Sequence, residues 1–90
     1  MPLYKIKNFS TLAPSTVAVS FTDGTEKSID LAPLLKSPVF GRLYSKLNDP
    51  SYFALGKLDA ECLVPTWPDG VDLSPALLYE WEQRLPNMLQ

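Results

Sequence analysis

Carboxylates in the second half of the chain are the residues whose types and spacing could support metal or acid–base chemistry. Asp69 and Asp72 stand in the segment Asp69-Gly70-Val71-Asp72, and Asp59 is a third candidate. The segment is similar to part of a calcium-binding loop, but the other Asp or Asn ligands and the closing Glu are absent at the required spacing. We therefore predict no metal site, and expect Asp69 to occupy a turn and Asp72 to bind nearby backbone amides.

Other catalytic residue types are scarce in this sequence. It has no histidine, the commonest general base at neutral pH, and one cysteine, Cys62, which is too few for a structural zinc site. Ser37 and Ser74 each precede a proline, a pattern typical of helix caps. Cys62 is followed by Leu63 and Val64, so we expect a buried, unreactive thiol. We expect no enzymatic activity and no cofactor.

Length and composition indicate the class of protein. Ninety residues with 46% hydrophobic side chains predict one globular domain, residues 1–90, with one modest core. A single cysteine allows no internal disulfide, and no apolar run has the length of a signal peptide or a membrane span. These features predict a cytoplasmic protein without a membrane partner.

The charges are unevenly distributed along the chain. Residues 1–46 carry six basic and three acidic side chains, whereas residues 47–90 carry two basic and seven acidic ones, so the halves have formal charges of +3 and −5. Folding either intermixes these charges or leaves an acidic patch that could bind a basic partner. The net charge of −2 argues against nucleic acid as the main partner, which would require Lys5, Lys7 and Arg42 on one basic face.

Alternating side chains predict two hairpins. Val17, Val19 and Phe21 alternate with small or polar residues, and the Asp23-Gly24 turn that follows should have φ > 0 at both residues. The predicted strands are Tyr4–Phe9, Thr16–Phe21 and Glu26–Leu31, then Lys57–Asp59 and Cys62–Trp67, with Pro65 placing the last at an edge.

Three cap-plus-proline pairs predict short helices between and after the hairpins. Ser37-Pro38 should begin a helix carrying Val39, Phe40, Leu43 and Leu47; Asp49-Pro50 should begin a second, and Ser74-Pro75 the last. The last helix should run to about Arg84, with a Glu80–Arg84 pair, and end at Pro86. Strands segregated from helices predict an α+β fold: a small antiparallel sheet of short hairpins with short helices and a C-terminal helix packed against it.

Two motifs in this order resemble a known family. They are Phe21-Thr22-Asp23-Gly24 and, more specifically, Trp67-Pro68-Asp69-Gly70-Val71-Asp72-Leu73-Ser74-Pro75 followed by Leu78-Tyr79. The chain resembles the bacterial family called "domain of unknown function 2442" over roughly residues 3–80. The resemblance implies a small α+β fold without an established activity. It also implies, by association, a regulatory or antitoxin-like role.

We expect a non-enzymatic binding module, and two surfaces are candidates for the contact. The acidic half, around Asp69, Asp72, Glu80 and Glu82, could occlude a small basic protein. Alternatively, the module could bind a small ligand or a metal, in a pocket lined by Trp67, Asp69, Asp72 and Tyr79.

Two further alternatives concern Trp67 and the strand edges. Trp and Tyr are frequent in binding hot spots, but Trp67 could instead pack beneath the terminal helix. The exposed edge of Tyr4–Phe9 or of Cys62–Trp67 could pair with a second copy to form a homodimer.

Overall fold

Three antiparallel strands form the main sheet. The computed structural model describes residues 4–12, 14–38 and 40–88. The strands are β1 (Ile6–Leu12), β2 (Thr16–Phe21) and β3 (Glu26–Asp30), in the order β1-β2-β3. Val17, Val19 and Phe21 of the central strand β2 face the core, as their alternation predicted. A bulge between Ile6 and Asn8 shifts the register of β1 against β2 by one residue, so that Ile6 pairs with Phe21 and Phe9 pairs with Val19.

The turn between β2 and β3 is longer than predicted. Gly24 has φ 94°, but Asp23 is not left-handed, so the expected φ > 0 at both residues is wrong. Phe21 N donates to Thr25 O at 2.8 Å, and Gly24 N donates to Phe21 O at 3.0 Å. This is the three-residue loop whose last residue is a left-handed glycine. Asp23 Oδ1 accepts from Thr25 N and stabilises the loop.

Short helices follow the sheet. They are α1 (Ala32–Leu35), a 3₁₀ helix (Ser45–Asn48) and α2 (Pro50–Phe53). Asp49 accepts a hydrogen bond from Ser51 N as predicted for an N-cap. The single helix predicted after Ser37-Pro38 is wrong: Ser37 Oγ accepts from Phe40 N, but residues 40–44 form successive turns before the 3₁₀ helix. Val39 lies outside the described residues.

The second hairpin is present but shorter than predicted. It consists of β4 (Lys57–Leu58) and β5 (Pro65–Thr66). Asp59 Oδ1 accepts from Glu61 N and Cys62 N, so the chain turns here and Cys62 is exposed. The prediction of a buried Cys62 in a strand is therefore wrong, because the carboxylate of Asp59 stabilises a turn where the alternation suggested β-structure.

Two helices complete the chain instead of one. α3 (Pro75–Tyr79) begins at Ser74, whose Oγ accepts from Leu77 N, and α4 (Trp81–Met88) follows after Glu80 leaves helical geometry. The predicted end at Pro86 is wrong, since α4 continues past it and Pro86 merely lacks one backbone donor near the end of the helix. No helix of the described residues is long and apolar enough to cross a lipid bilayer.

One hydrophobic core joins these elements. Each large side chain fully buried there contributes about 1.5–3 kcal/mol. The buried apolar residues are Ile6, Val17, Val19, Phe21, Ile29, Leu31, Leu34, Leu47, Phe53, Trp67, Leu73, Leu78 and Trp81.

Trp67 links three parts of this core. Its ring stacks near Phe53 with centroids 6.0 Å apart and meets Phe9 edge-on at 5.9 Å. Its Nε1 donates to Phe53 O at 2.8 Å. A Cβ at Gly56 would lie 2.4 Å from Trp67 Cε2, so the indole packs directly on the Gly56 backbone.

We predict that Gly56→Ala destabilises the fold by about 1–3 kcal/mol, because the buried indole has no room to move away from the added methyl group. Urea unfolding measures the loss. The control is Gly24→Asn, where the space is open and Asn tolerates the left-handed backbone, so the loss should stay below about 1 kcal/mol. An unchanged unfolding midpoint in Gly56→Ala would contradict this packing.

Candidate functional site

The six residues predicted for binding do not form one site. Trp67 is 4% exposed and belongs to the core, so its side chain is not available to a partner or a ligand. Asp69 lies beside Lys46, whereas Tyr79 lies beside Tyr4. No hydrogen bond, ion pair or ring contact of the described residues joins Asp69 or Asp72 to Tyr79. The structure thus does not assemble the pocket that the sequence suggested.

Tyr79 is the centre of a cluster that ties the C-terminal helices to the sheet. Its ring stacks on Tyr4 with centroids 4.1 Å apart and planes 12° apart, and it meets Phe21 edge-on at 4.9 Å. Its hydroxyl donates to Asp23 Oδ2 at 2.6 Å in the β2–β3 loop. We call the following residues the Tyr79 cluster: Tyr4, Asp23, Lys27, Tyr79, Glu80, Glu82 and Arg84.

Lys27 of β3 reaches across to the same helices. Its Nζ donates to the Tyr79 carbonyl at 2.5 Å and to Glu82 Oε1 at 2.7 Å. The same ammonium lies 5.5 Å from the centroid of the Tyr79 ring. The Lys27 side chain is 17% exposed while that of Glu82 is 69% exposed, so the pair lies at the rim of the core.

Glu80 occupies the break between α3 and α4 and accepts three hydrogen bonds. Tyr4 Oη donates to its Oε2 at 2.9 Å, and Arg84 donates to its Oε1 from Nε at 3.0 Å and from Nη2 at 2.9 Å. The predicted Glu80–Arg84 pair is therefore present. Glu80 and Tyr4 are 76 positions apart, so this hydrogen bond joins the segment before β1 to the C-terminal helices.

These contacts explain the altered acidities in the cluster. The hydroxyl of Tyr79, followed by the Thr25 amide, lowers the pKa of Asp23. Hydrogen bonds from Tyr4 and then Arg84 lower the pKa of Glu80, and the Lys27 ammonium lowers that of Glu82. Donation to Glu80 raises the pKa of Tyr4 in return.

Asp69 and Asp72 lie around the turn after β5. Asp69 and Gly70 have φ values of 70° and 83°, and Asp69 Oδ2 is 3.1 Å from Lys46 Nζ. Asp72 forms a β-bridge with Thr66 and is exposed. Burial, followed by the negative charge of Asp72, raises the pKa of Tyr44. Asp69 occupies a turn, as predicted.

The charges of the two halves are intermixed both in the Tyr79 cluster and at the turn after β5. Glu82 pairs with Lys27, and Asp69 pairs with Lys46, so acids of the second half are neutralised by bases of the first. Glu80 is neutralised by Arg84. Of the acids predicted to form a binding patch, Asp72 takes part in no ion pair among the described residues. The described part of the chain also contains no group of three or more His, Cys, Asp or Glu residues placed to hold a metal ion.

Sequence reasoning missed the outer face of the three-stranded sheet. Small and polar side chains from all three strands line an open depression of about 760 Å³ there. The side chains on this face include Asn8, Ser10, Ala18, Ser20, Glu26 and Ser28. The alternation in β2 that identified the core face also implied this second face, but small side chains carried no chemical signal.

A family model described as "Protein of unknown function (DUF2442)" matches residues 6–84. The chain belongs to this family. The match confirms the resemblance drawn from the two motifs, and in this DUF2442 member it spans the sheet, both hairpins and every residue of the Tyr79 cluster except Tyr4. No curated protein and no solved structure matches the chain.

We predict that Glu80→Gln destabilises the fold in a pH-dependent manner. A carboxyl whose folded-state pKa is lowered stabilises the fold above its unfolded pKa of about 4.3 and loses this effect as the pH falls through the folded value. Wild type should therefore be more stable than Glu80→Gln near neutral pH, and the difference should shrink below about pH 4.

Urea unfolding at several pH values measures this difference. Glu61→Gln is the matched control, since it removes the same charge from the exposed β4–β5 loop and should leave stability unchanged. A wild-type advantage over Glu80→Gln that does not vary with pH would show that the Glu80 charge is not involved.

Proposed function

We propose that this chain is a non-enzymatic binding module that forms a complex with a small basic protein through the outer face of its three-stranded sheet. The module acts by covering a surface of its partner, which is an antitoxin-like or regulatory role. The family resemblance supports such a role by association. The contact surface differs from the acidic C-terminal patch expected from the sequence.

The outer face of the sheet, which lies open in the described part of the chain, carries this proposal. On the central strand, Ala18 lies between Ser10 of β1 and Ser28 of β3, so a partner can approach the backbone closely. Ser10 and Ser28 are exposed, and the depression is open to solvent. Small molecules usually bind in enclosed, largely apolar pockets, whereas a broad polar face suits a protein partner.

Unpaired acids on β3 favour a basic partner. Glu26 and Asp30 are both exposed, and neither takes part in an ion pair among the described residues. The acids of the C-terminal helices are instead satisfied within the chain by Lys27 and Arg84. Complementary charge would both accelerate association and select the partner.

Three features of the chain support a non-catalytic role in the cytoplasm. The chain has no histidine. The hydroxyls of Ser37 and Ser74 accept hydrogen bonds from Phe40 N and Leu77 N, so Ser37 caps a turn and Ser74 caps α3. Cys62 is exposed and has no second cysteine with which to form an internal disulfide, as suits a reducing compartment.

We predict that Ala18→Arg abolishes capture of the partner from a lysate of the source cell while leaving the fold intact. A long charged side chain in the middle of the outer face blocks close approach and repels a basic surface. Tagged wild type and variant are compared by affinity capture and mass spectrometry, and the complex is then reconstituted from purified proteins.

Ala54→Arg is the matched control, because Ala54 is exposed at the end of α2, whose Phe53 belongs to the core on the other face of the sheet. Glu82→Gln tests the acidic patch and should also retain the partner. If wild type captures no specific protein, or if Ala18→Arg captures it as well as Ala54→Arg does, the proposed contact is wrong.

A further inference from the structure

The edge of β3 is open to a further strand. β3 is the last strand in the order β1-β2-β3, and β2 is the strand that pairs with it in the described part of the chain. The opposite edge strand, β1, lies beside β4, with Phe9 against Trp67. An unpaired edge presents a row of backbone donors and acceptors to any extended segment that reaches it.

The backbone groups of three β3 residues point away from β2. Hydrogen bonds run from Phe21 N to Thr25 O at one end of the hairpin and from Leu31 N to Ser15 O at the other. Antiparallel pairs alternate between bonded and non-bonded residues, so the odd-numbered residues of β3 bond to β2. The N–H and C=O groups of Glu26, Ser28 and Asp30 therefore face outward.

The side chains of the same residues give this edge a charge pattern. Glu26, Ser28 and Asp30 are all exposed, whereas Ile29 is buried and Lys27 reaches the C-terminal helices. The Glu26 and Asp30 positions are thus about 13 Å apart along the extended strand, with the small hydroxyl of Ser28 between them. The Glu26 carboxylate has no hydrogen bond or ion pair among the described residues, while Asp30 Oδ1 accepts from Ser15 Oγ and Ala32 N.

This pattern disfavours pairing of β3 with a second copy of itself. An antiparallel pair of β3 strands centred on Ser28 would place Glu26 of each copy opposite Asp30 of the other. Like charges directly opposite one another destabilise a strand pair. A segment with basic side chains opposite Glu26 and Asp30 would instead be stabilised.

We propose that the partner adds an extended segment to the edge of β3, with Lys or Arg side chains opposite Glu26 and Asp30 and a residue opposite Ser28 between them. This inference rests on the proposed function and specifies how the partner binds: backbone hydrogen bonds supply the ladder, and the basic side chains, spaced like Glu26 and Asp30, supply the selectivity.

Synthetic peptides test the proposal. The probe is an extended peptide of about nine residues, rich in Thr and Val, with two Lys at the Glu26–Asp30 spacing. One control peptide carries Glu at both Lys positions. The other is the Lys peptide with N-methyl groups on the amides that would face β3. Binding is followed by the NMR shifts of the Glu26, Ser28 and Asp30 amides. We expect the Lys peptide to bind and both controls to bind at least about tenfold more weakly.

Variants of the chain provide the second arm. Ser28→Pro removes an outward N–H without touching the ladder to β2, and Ser28→Thr keeps it. Glu26→Lys reverses one charge, and Glu61→Lys makes the same change in the β4–β5 loop. Peptide binding should fall about tenfold in Ser28→Pro and Glu26→Lys and stay within about twofold in the two controls. If Ser28→Pro does not fold, the proposal is decided by the binding of the N-methyl peptide to wild type and of the Lys peptide to Glu26→Lys.

Equal binding of the Lys peptide and its N-methyl form, equal binding to wild type and Glu26→Lys, or no binding of the Lys peptide would overturn the proposal. A Ser28→Pro chain that captures the same cellular partner as wild type would also overturn it, while leaving the binding function in place. Absence of any partner for wild type would instead reject the proposed function, and the peptide result would still decide whether the edge accepts a strand.

Discussion

The stack of Tyr79 on Tyr4 is the contact on which the position of the C-terminal helices depends. It places Glu80 beside the Tyr4 hydroxyl and the Tyr79 hydroxyl beside Asp23. An aromatic pair contributes about 0.5–1.5 kcal/mol beyond burial, and an exposed ion pair contributes about 0–1 kcal/mol. Burial of Leu78 and Trp81 supplies more stability, but that burial is not directional. The stack and the hydrogen bonds around Tyr79 therefore determine where the helices lie.

This arrangement changes which surface we propose as the one that binds a partner. Glu80 and Glu82 form ion pairs with Arg84 and Lys27 of the same chain. A basic protein would have to compete with these two side chains for the carboxylates. The opposite side of the sheet bears small polar side chains and an unpaired strand edge, and its acids are not engaged in ion pairs within the described residues. Structural polar residues and the proposed binding surface thus lie on different sides of the same three strands.

Local patterns predicted most of the fold, and the errors came from local turn geometry as well as from contacts between distant residues. The alternation of Thr16–Phe21 and the cap at Ser74 depend on neighbouring residues, and both predictions were confirmed. Cys62 was misplaced because the turn formed by Asp59 overrides its apolar neighbours. Glu80 was selected as a binding residue because its charge was visible, whereas its partner Tyr4, 76 positions away, could not be inferred from one sequence. The outer face was missed because small side chains carry no chemical signature.

The central claim is that the Tyr79 cluster holds the C-terminal helices against the sheet. A double-mutant cycle on the unfolding free energy of Tyr4→Leu, Tyr79→Leu and the double variant tests it most directly. The contacts described here predict a coupling of about 0.5–1.5 kcal/mol between the two positions, because each ring loses its partner when the other is removed. Losses that add within about 0.3 kcal/mol would contradict the claim.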